Sequence, residues 1–321
     1  MISLLLIIPS IALIWWNNLS YDTFFFGSQE KHHGYIWYAS LMLLALLIST
    51  FSYTEKRKLV TMIMIGAVLV AFFAVIEYFR GYSAFGKFSW GNEGRAASTL
   101  GNPNYVAGFL LMCLPLFSLV PRLFRSWYII FLISGILSTV SYIGMALMGS
   151  YVLYELLCFI VPSMKPKILT VVLSLLSVYI IYMYLPEEKL LSFKGRFVLM
   201  DDIWTHMVQY PLSFVIGFGP ESVMAYFSEP RSELVNSYFP MGHVIDSSHS
   251  IGLDALFKYG IFPLVYIGYL LFKRWNRIQI QARIGFILGF LFFSLNVVVT
   301  VHMILFILFG MLFYKEKNKS R

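Results

Sequence analysis

From residue 35 to 53, from 59 to 79 and from 104 to 120 the chain carries a single acidic or basic side chain, Glu77, and comparable apolar runs recur toward its end. Hydrocarbon offers no water to peptide groups, so a segment of this kind has to close its hydrogen bonds internally, as a helix. With about 1.5 Å per residue and about 30 Å to cross, about ten spans are predicted: roughly 2–16, 35–53, 59–79, 104–120, 127–141, 143–162, 168–185, 251–272, 283–298 and 301–314. Composition excludes a water-soluble globule, since 59% of residues are hydrophobic and 12% charged, against roughly 45–50% and 25% in soluble proteins. The expected fold class is all-α, a polytopic transmembrane helix bundle. The first run has neither a basic leader nor a small-residue cleavage site, so it reads as an anchor. Cys113 and Cys158 both fall inside apolar runs, which argues against a disulfide framework or a four-ligand zinc site.

Charge placement sets orientation. With both termini cytoplasmic, the short inner segments hold Lys56, Arg57, Lys58, Arg122, Arg125, Lys165, Lys167, the cluster from Lys273 to Arg283 and the basic tail, a majority of the 24 basic residues. The positive-inside rule selects that orientation. The net charge of +8 then records topology rather than a nucleic-acid partner.

Three outer segments follow, at 17–34, 80–103 and 186–250. The last far exceeds the few residues that join neighbouring helices. It contains Pro186, Pro211, Pro220, Pro230 and Pro240, yet residues 198–210 have helical spacing. One long extracytoplasmic loop with short amphipathic helices against the outer face is expected.

The outer segments also hold Arg95, just before the stretch Ser98 to Asn104, together with Arg196, Arg231 and His249. Arginine offers a permanent charge and a planar donor fork that suits phosphate oxygens, whereas histidine titrates near neutrality and accepts a proton. Together they have the makings of a leaving-group clamp and a base, as transfer from a lipid diphosphate to a hydroxyl requires. The plain alternatives are solvated or headgroup-bound arginines and a capping histidine. His249 stands out from His32, His33, His206 and His243 because it sits where the long loop enters a span. His302 reads as a hydrogen-bonded group at a helical turn. Glu155, deep in its span, is expected to make an interhelical hydrogen bond; Glu77, near an outer helix end, either orients an arginine or reaches for headgroups. Asp201 and Asp202 point in different directions on a helix and suit the dipole at its start, so no metal site is assigned.

Four pieces in order carry a resemblance: Arg95 to Gly108, containing Gly-Asn-Pro-Asn; Gly195 and Arg196 with Trp204; Pro211 with Gly217, Gly219 and Pro220; and His249-Ser250 followed by Gly260. On these the chain resembles the O-antigen ligase and polymerase family of bacterial membrane glycosyltransferases, over about residues 60–314. The division it suggests is N-terminal transmembrane helices at 1–58 and a ligase-like membrane domain at 59–321 that includes the loop 186–250. The resemblance implies a GT-C-like bundle in the bacterial cytoplasmic (inner) membrane, its active site extracytoplasmic. It also implies an inverting, metal-independent transferase without cofactors. The donor would be an undecaprenyl-diphosphate-linked glycan and the acceptor a hydroxyl of lipid A core, another glycan or a protein. By position, His249 would be the catalytic base and Arg196 the diphosphate ligand. Arg95 and Arg231 would be further donor contacts, and Asn102, Pro103 and Asn104 would shape the start of a helix lining the cleft.

Two departures are visible. Where the family usually has an arginine after a serine, Ser141 is followed by Tyr142, so Arg95 or Arg231 would have to take that place. The chain also has fewer N-terminal spans than family members tend to have. Two other function classes stay open: a transporter or flippase for lipid-linked glycan, which calls for a polar path and paired broken spans, and a non-catalytic family member in envelope assembly.

Overall fold

The computed structural model describes residues 35–81, 94–160, 187–219, 222–228, 231–239, 245–275, 278–296 and 300–312, with single positions at 172, 176, 179 and 183. The run at 2–16, His32, His33 and His243, and the run at 168–185 apart from those positions lie outside the described residues.

Every described element is helical. The order is α1 (Tyr35–Thr50), α2 (Tyr53–Arg80), a 3-10 turn (Ser98–Leu100), α3 (Pro103–Cys113) continued by a 3-10 segment (Leu114–Leu119), α4 (Arg122–Ser138), α5 (Tyr142–Ile160), α6 (Glu187–Gln209), α7 (Ser213–Ile216), α8 (Ser222–Ser228), α9 (Glu233–Tyr238), α10 (Ile251–Tyr259), α11 (Ile261–Trp275), α12 (Ile280–Phe293) and α13 (Thr300–Leu312). Among the described residues α2 and α5 are long and apolar enough to cross a membrane, and α3 with its continuation, α12, α13 and part of α1 are shorter apolar helices. Met62, Ile65 and Leu69 of α2 are exposed while Ala67, Ala71 and Ala74 are buried. An outward apolar face of this kind needs a cover other than water.

The chain gathers into two compact units that interleave in sequence. One contains α1, α6 to α11 and the residues from Phe293 to Asn296; the other contains α2 to α5, α12 up to Phe292, and α13. The boundary expected after residue 58 falls inside α2.

In the second unit α3 is the centre. Pro103 occupies its first turn, the Asn102 side chain caps it by accepting from the Asn104 N–H at 2.9 Å, and every residue from Val106 to Cys113 is buried. Pro in a first turn and Asn as cap are what a helix start favours. Small residues let the neighbouring helices close in. A Cβ on Gly135 of α4 would stand 2.8 Å from the Ala71 Cα, and one on Gly285 of α12 would stand 2.6 Å from the Met112 carbonyl oxygen. The His302 ring, fully buried, places Nε2 2.9 Å from the Tyr105 carbonyl oxygen and ties α13 to α3.

The first unit is built on α6. Leu199, Ile203 and Met207, at i, i+4 and i+8, form a fully buried stripe that packs on Phe218, Val223, Phe227, Val235 and Phe257; this is the face a 3.6-residue period produces. The helix expected over 198–210 is longer than the spacing suggested, since it is already formed at Glu187. It stops before Pro211, which cannot extend it.

The run expected as one span at 251–272 is two helices. The chain breaks at Gly260, with φ 71° and ψ −172°, a conformation essentially restricted to glycine. The reason is a backbone crossing. Gly217 has φ 72° and ψ −177°; Phe218 N–H donates to the Phe257 carbonyl at 2.7 Å and Gly219 N–H to the Lys258 carbonyl at 2.9 Å. A Cβ on Gly260 would stand 2.2 Å from the Val215 oxygen, and one on Gly217 would stand 2.5 Å from the Lys258 carbonyl. The glycines of two separate motif pieces therefore meet, and both serve close backbone approach.

Candidate functional site

The sequence-selected residues divide between the two units. Arg95, Asn102, Pro103 and Asn104 belong to the second; Arg196, Arg231 and His249 belong to the first.

Around Arg95, the segment leading to α3 is held by a buried carboxylate. Glu77, 4% exposed near the end of α2, accepts from the backbone N–H of Ala97 at 2.9 Å and from that of Ser98. Ser98 has φ 47° and donates its hydroxyl to the Val70 carbonyl at 2.8 Å. Glu77 thus anchors the loop that carries the arginine, through main-chain N–H groups. Arg95 itself donates Nε to the Thr139 carbonyl at 3.0 Å and Nη2 to the Asn104 Oδ1 at 3.2 Å. The Ser141 hydroxyl reaches the same Asn104 oxygen at 3.1 Å. Val140 lies at φ 47°, unusual for a β-branched residue, just after the carbonyl that Arg95 grips. Burial pulls the Arg95 guanidinium below the usual arginine value, while the nearby Tyr142 side chain acts in the opposite direction; an arginine in a protein nonetheless stays protonated. Tyr142, in the position where a family arginine was expected, is thus an electrostatic neighbour of Arg95. Asn104 does more than shape a helix start, because its side chain joins the Arg95 and Ser141 groups.

Arg196 follows Gly195 on α6. Aromatic rings lie over Gly195: a Cβ there would stand 3.2 Å from the Phe239 ring. The half-buried Arg196 guanidinium donates through Nη1 to the Leu295 carbonyl and to the Asn296 Oδ1, the latter at 3.0 Å. Both of these acceptors, a backbone carbonyl and an amide oxygen, are neutral and fix the direction of the guanidinium. Arg231 donates Nε to the Phe227 carbonyl at 2.8 Å and Nη1 to the Phe239 carbonyl at 3.3 Å. It joins the end of α8 to the end of α9, which is a scaffold role whatever else it meets.

His249 lies just before α10, half-buried, with φ 61°. Its backbone N–H donates to the Ser247 Oγ at 3.0 Å. The Ser247 hydroxyl in turn donates to the Asp254 Oδ2 at 2.5 Å, and the other Asp254 oxygen accepts from the Ser248 N–H at 2.7 Å. Asp254, absent from the candidates chosen on sequence, thus organises the loop that carries the histidine. The signal was present: it is one of two charges, with Lys258, in an otherwise apolar run, in the first turn of a helix, where an acid can reach back to N–H groups.

The remaining candidates are placed as follows. The His206 ring is packed among tilted aromatic rings, 4.3 Å from Tyr226, 5.0 Å from Tyr210 and 5.1 Å from Phe218 between centroids. Asp202 accepts the Tyr226 hydroxyl at 2.9 Å, and Asp201 is exposed. Among the described residues no group of three or more His, Cys, Asp or Glu side chains gathers as a metal site would require. Glu155 accepts the Tyr151 hydroxyl at 2.7 Å. Among the described residues this bond lies within α5, where Tyr151 sits one turn before Glu155 on the same face.

No family model, curated protein or solved structure matches the chain.

Proposed function

We propose that this protein is a multi-pass glycosyltransferase of the bacterial cytoplasmic membrane, with both termini cytoplasmic. It moves a glycan from an undecaprenyl-diphosphate carrier to a hydroxyl acceptor on the outer side, in the manner of O-antigen ligases and polymerases. The observation that carries this reading is the His249 backbone. A non-glycine residue in the left-handed region is uncommon and persists where its surroundings over-determine it. Here the surroundings are Ser247, which accepts from the His249 N–H, and Asp254, which accepts the Ser247 hydroxyl, and the residue so held carries an imidazole, the side chain that ordinarily takes a proton near neutrality. A cationic Arg196 oriented by neutral acceptors in the same unit supports the donor half of the reading.

In the transfer, the acceptor oxygen bonds to the anomeric carbon while the bond from that carbon to the diphosphate oxygen breaks. The hydroxyl proton passes to the His249 imidazole. The electron pair leaves on the diphosphate, whose growing negative charge Arg196 counters. Attack opposite the leaving group inverts the anomeric centre. The family resemblance adds the GT-C-like architecture, about ten spans and independence from metals.

A second reading, a non-catalytic relative, is favoured by Tyr142 standing beside Arg95 where a second phosphate-binding arginine was expected. One assay separates the two. The purified protein in nanodiscs, given undecaprenyl-diphosphate-linked glycan, a hydroxyl acceptor and EDTA, is expected to transfer. His249→Ala and Arg196→Ala are each expected to lower the rate at least about a hundredfold. Wild-type rates in either variant reject the mechanism; donor binding with no transfer by the unmodified protein selects the second reading.

A further inference from the structure

We infer that Asp254 is a positioning residue for His249, acting through the Ser247 hydroxyl; the inference rests on the reading of His249 as the base. The transfer reaction itself gives Asp254 no part, and its place in an apolar run gives it the look of an incidental charge. The geometry points elsewhere. One carboxylate oxygen takes the Ser247 hydroxyl at 2.5 Å and the other takes the Ser248 N–H at 2.7 Å. Ser247, 3% exposed, has its oxygen within 3.0 Å of the His249 N–H. With its proton committed to the carboxylate, the Ser247 oxygen presents lone pairs, and the His249 N–H finds an acceptor only when the backbone turns toward it. The turned backbone is the one observed, at φ 61°.

A second contact closes the frame. The Asp254 N–H donates to the Ser250 carbonyl at 2.8 Å, so the residue that gathers the loop by its side chain also forms the first regular helical bond after the loop. The Ser248 hydroxyl lies 3.2 Å from the Ser250 N–H, from which it accepts. The loop 247–250 is therefore defined on both sides of His249. A base has to stand within hydrogen-bond reach of the proton it takes, so a loop that fixes the backbone carrying the base acts on the chemical step and leaves donor affinity alone.

The test uses the full-length protein in nanodiscs with two readouts: transfer kinetics with the lipid-diphosphate-linked donor, and the rate at which diethyl pyrocarbonate modifies His249, followed by mass spectrometry. Asp254→Ala and Ser247→Ala are expected to lower kcat at least about tenfold with donor KM within about twofold, and to change the His249 modification rate at least about threefold. Ser247→Thr, which keeps the hydroxyl, is expected to restore both readouts to within about threefold of the unmodified protein. The inference is overturned by wild-type kcat in Ser247→Ala, by KM rising in step with the loss of rate, by failure of Ser247→Thr to rescue, or by an unchanged modification rate. Should Asp254→Ala fail to fold, the Ser247 pair decides alone. Should His249→Ala transfer like the unmodified protein, the reading of His249 as a base fails while the modification rate still reports whether Asp254 and Ser247 set its position.

Discussion

Two loops in this molecule are held by the same device and put it to different ends. In the second unit, Glu77 accepts from Ala97 and Ser98 and fixes Ser98 at φ 47°. In the first, Asp254 accepts from Ser247 and Ser248, and His249 stands at φ 61°. The Ser98 hydroxyl turns inward to the Val70 carbonyl, so the strained residue there is itself a tie between loop and helix. At the other site the ties are made by the neighbours, and the strained residue carries an imidazole. The carboxylates differ as well. Glu77 reaches over twenty residues of sequence from another helix, whereas Asp254 reaches back seven at most. The first is a tertiary clamp and the second a local turn device. Left-handed backbone alone therefore does not mark a reactive residue: the chemistry of the side chain it carries decides it.

The largest effect is expected in the frame behind the His249 loop. Gly260 ends the helix that starts at that loop, and an alanine there would combine a backbone region that only glycine favours with a Cβ 2.2 Å from the Val215 oxygen. Neither partner is a flexible side chain, so the crossing has to open. Gly260→Ala is expected to lower the unfolding free energy in mixed micelles by roughly 4 kcal/mol or to prevent folding. Gly66→Ala, with nothing within 4 Å of the new Cβ, is the matched control, expected to stabilise by up to about 1 kcal/mol. Equal behaviour of the two variants would remove the crossing from the comparison.

Next in size is the tertiary clamp. Glu77→Ala strips the acceptor from the N–H groups of Ala97 and Ser98, inside a site where Glu77 is 4% exposed. Each orphaned buried donor costs about 1–3 kcal/mol, so a loss of roughly 2–6 kcal/mol is expected. Glu77→Gln can turn one amide oxygen toward both N–H groups and is expected to recover at least half of that loss in the same micelle titration. A glutamine variant as unstable as the alanine one would mean that the negative charge, and not the acceptor geometry, holds the Arg95 loop.

How much of this was legible from residues alone depends on the range of the interaction. The helix over 198–210 was readable because its buried stripe repeats every four residues and needs no knowledge of its partner. The start of α3 was readable from Asn102 and Pro103 for the same reason. The break at Gly260 was not, because the apolar run continues through it and a glycine in a span is ordinary; only its meeting with Val215 explains it. The pieces containing Gly217 and Gly260 could be recognised as a pattern while their physical cause, one backbone lying on another, stayed hidden. Asp254 was not legible, because an acid in an apolar stretch does not announce that its oxygens accept from a loop several residues earlier in sequence. Of the candidate site, the side chains with obvious chemistry were legible and the groups that aim them, Asn296, Ser247 and Asp254, were not.

The smallest effect bears most directly on the comparison. His249→Ala and His249→Gly both remove the imidazole, so activity does not distinguish them; what differs is the backbone. At φ 61° a Cβ is opposed by about 1–2 kcal/mol, which glycine avoids, whereas glycine's freer unfolded chain costs about 0.4–1 kcal/mol. The difference leaves the glycine variant more stable than the alanine one by about 0.5–1 kcal/mol, read from paired unfolding curves in one micelle composition. The same pair at Ser98, at φ 47°, is expected to show the same sign, since both variants lose the hydroxyl bond to Val70 equally. If alanine were the more stable choice at 249 and the less stable at 98, the His249 backbone would follow its own side chain and not the Ser247 and Asp254 frame, and the two loops would no longer share a device.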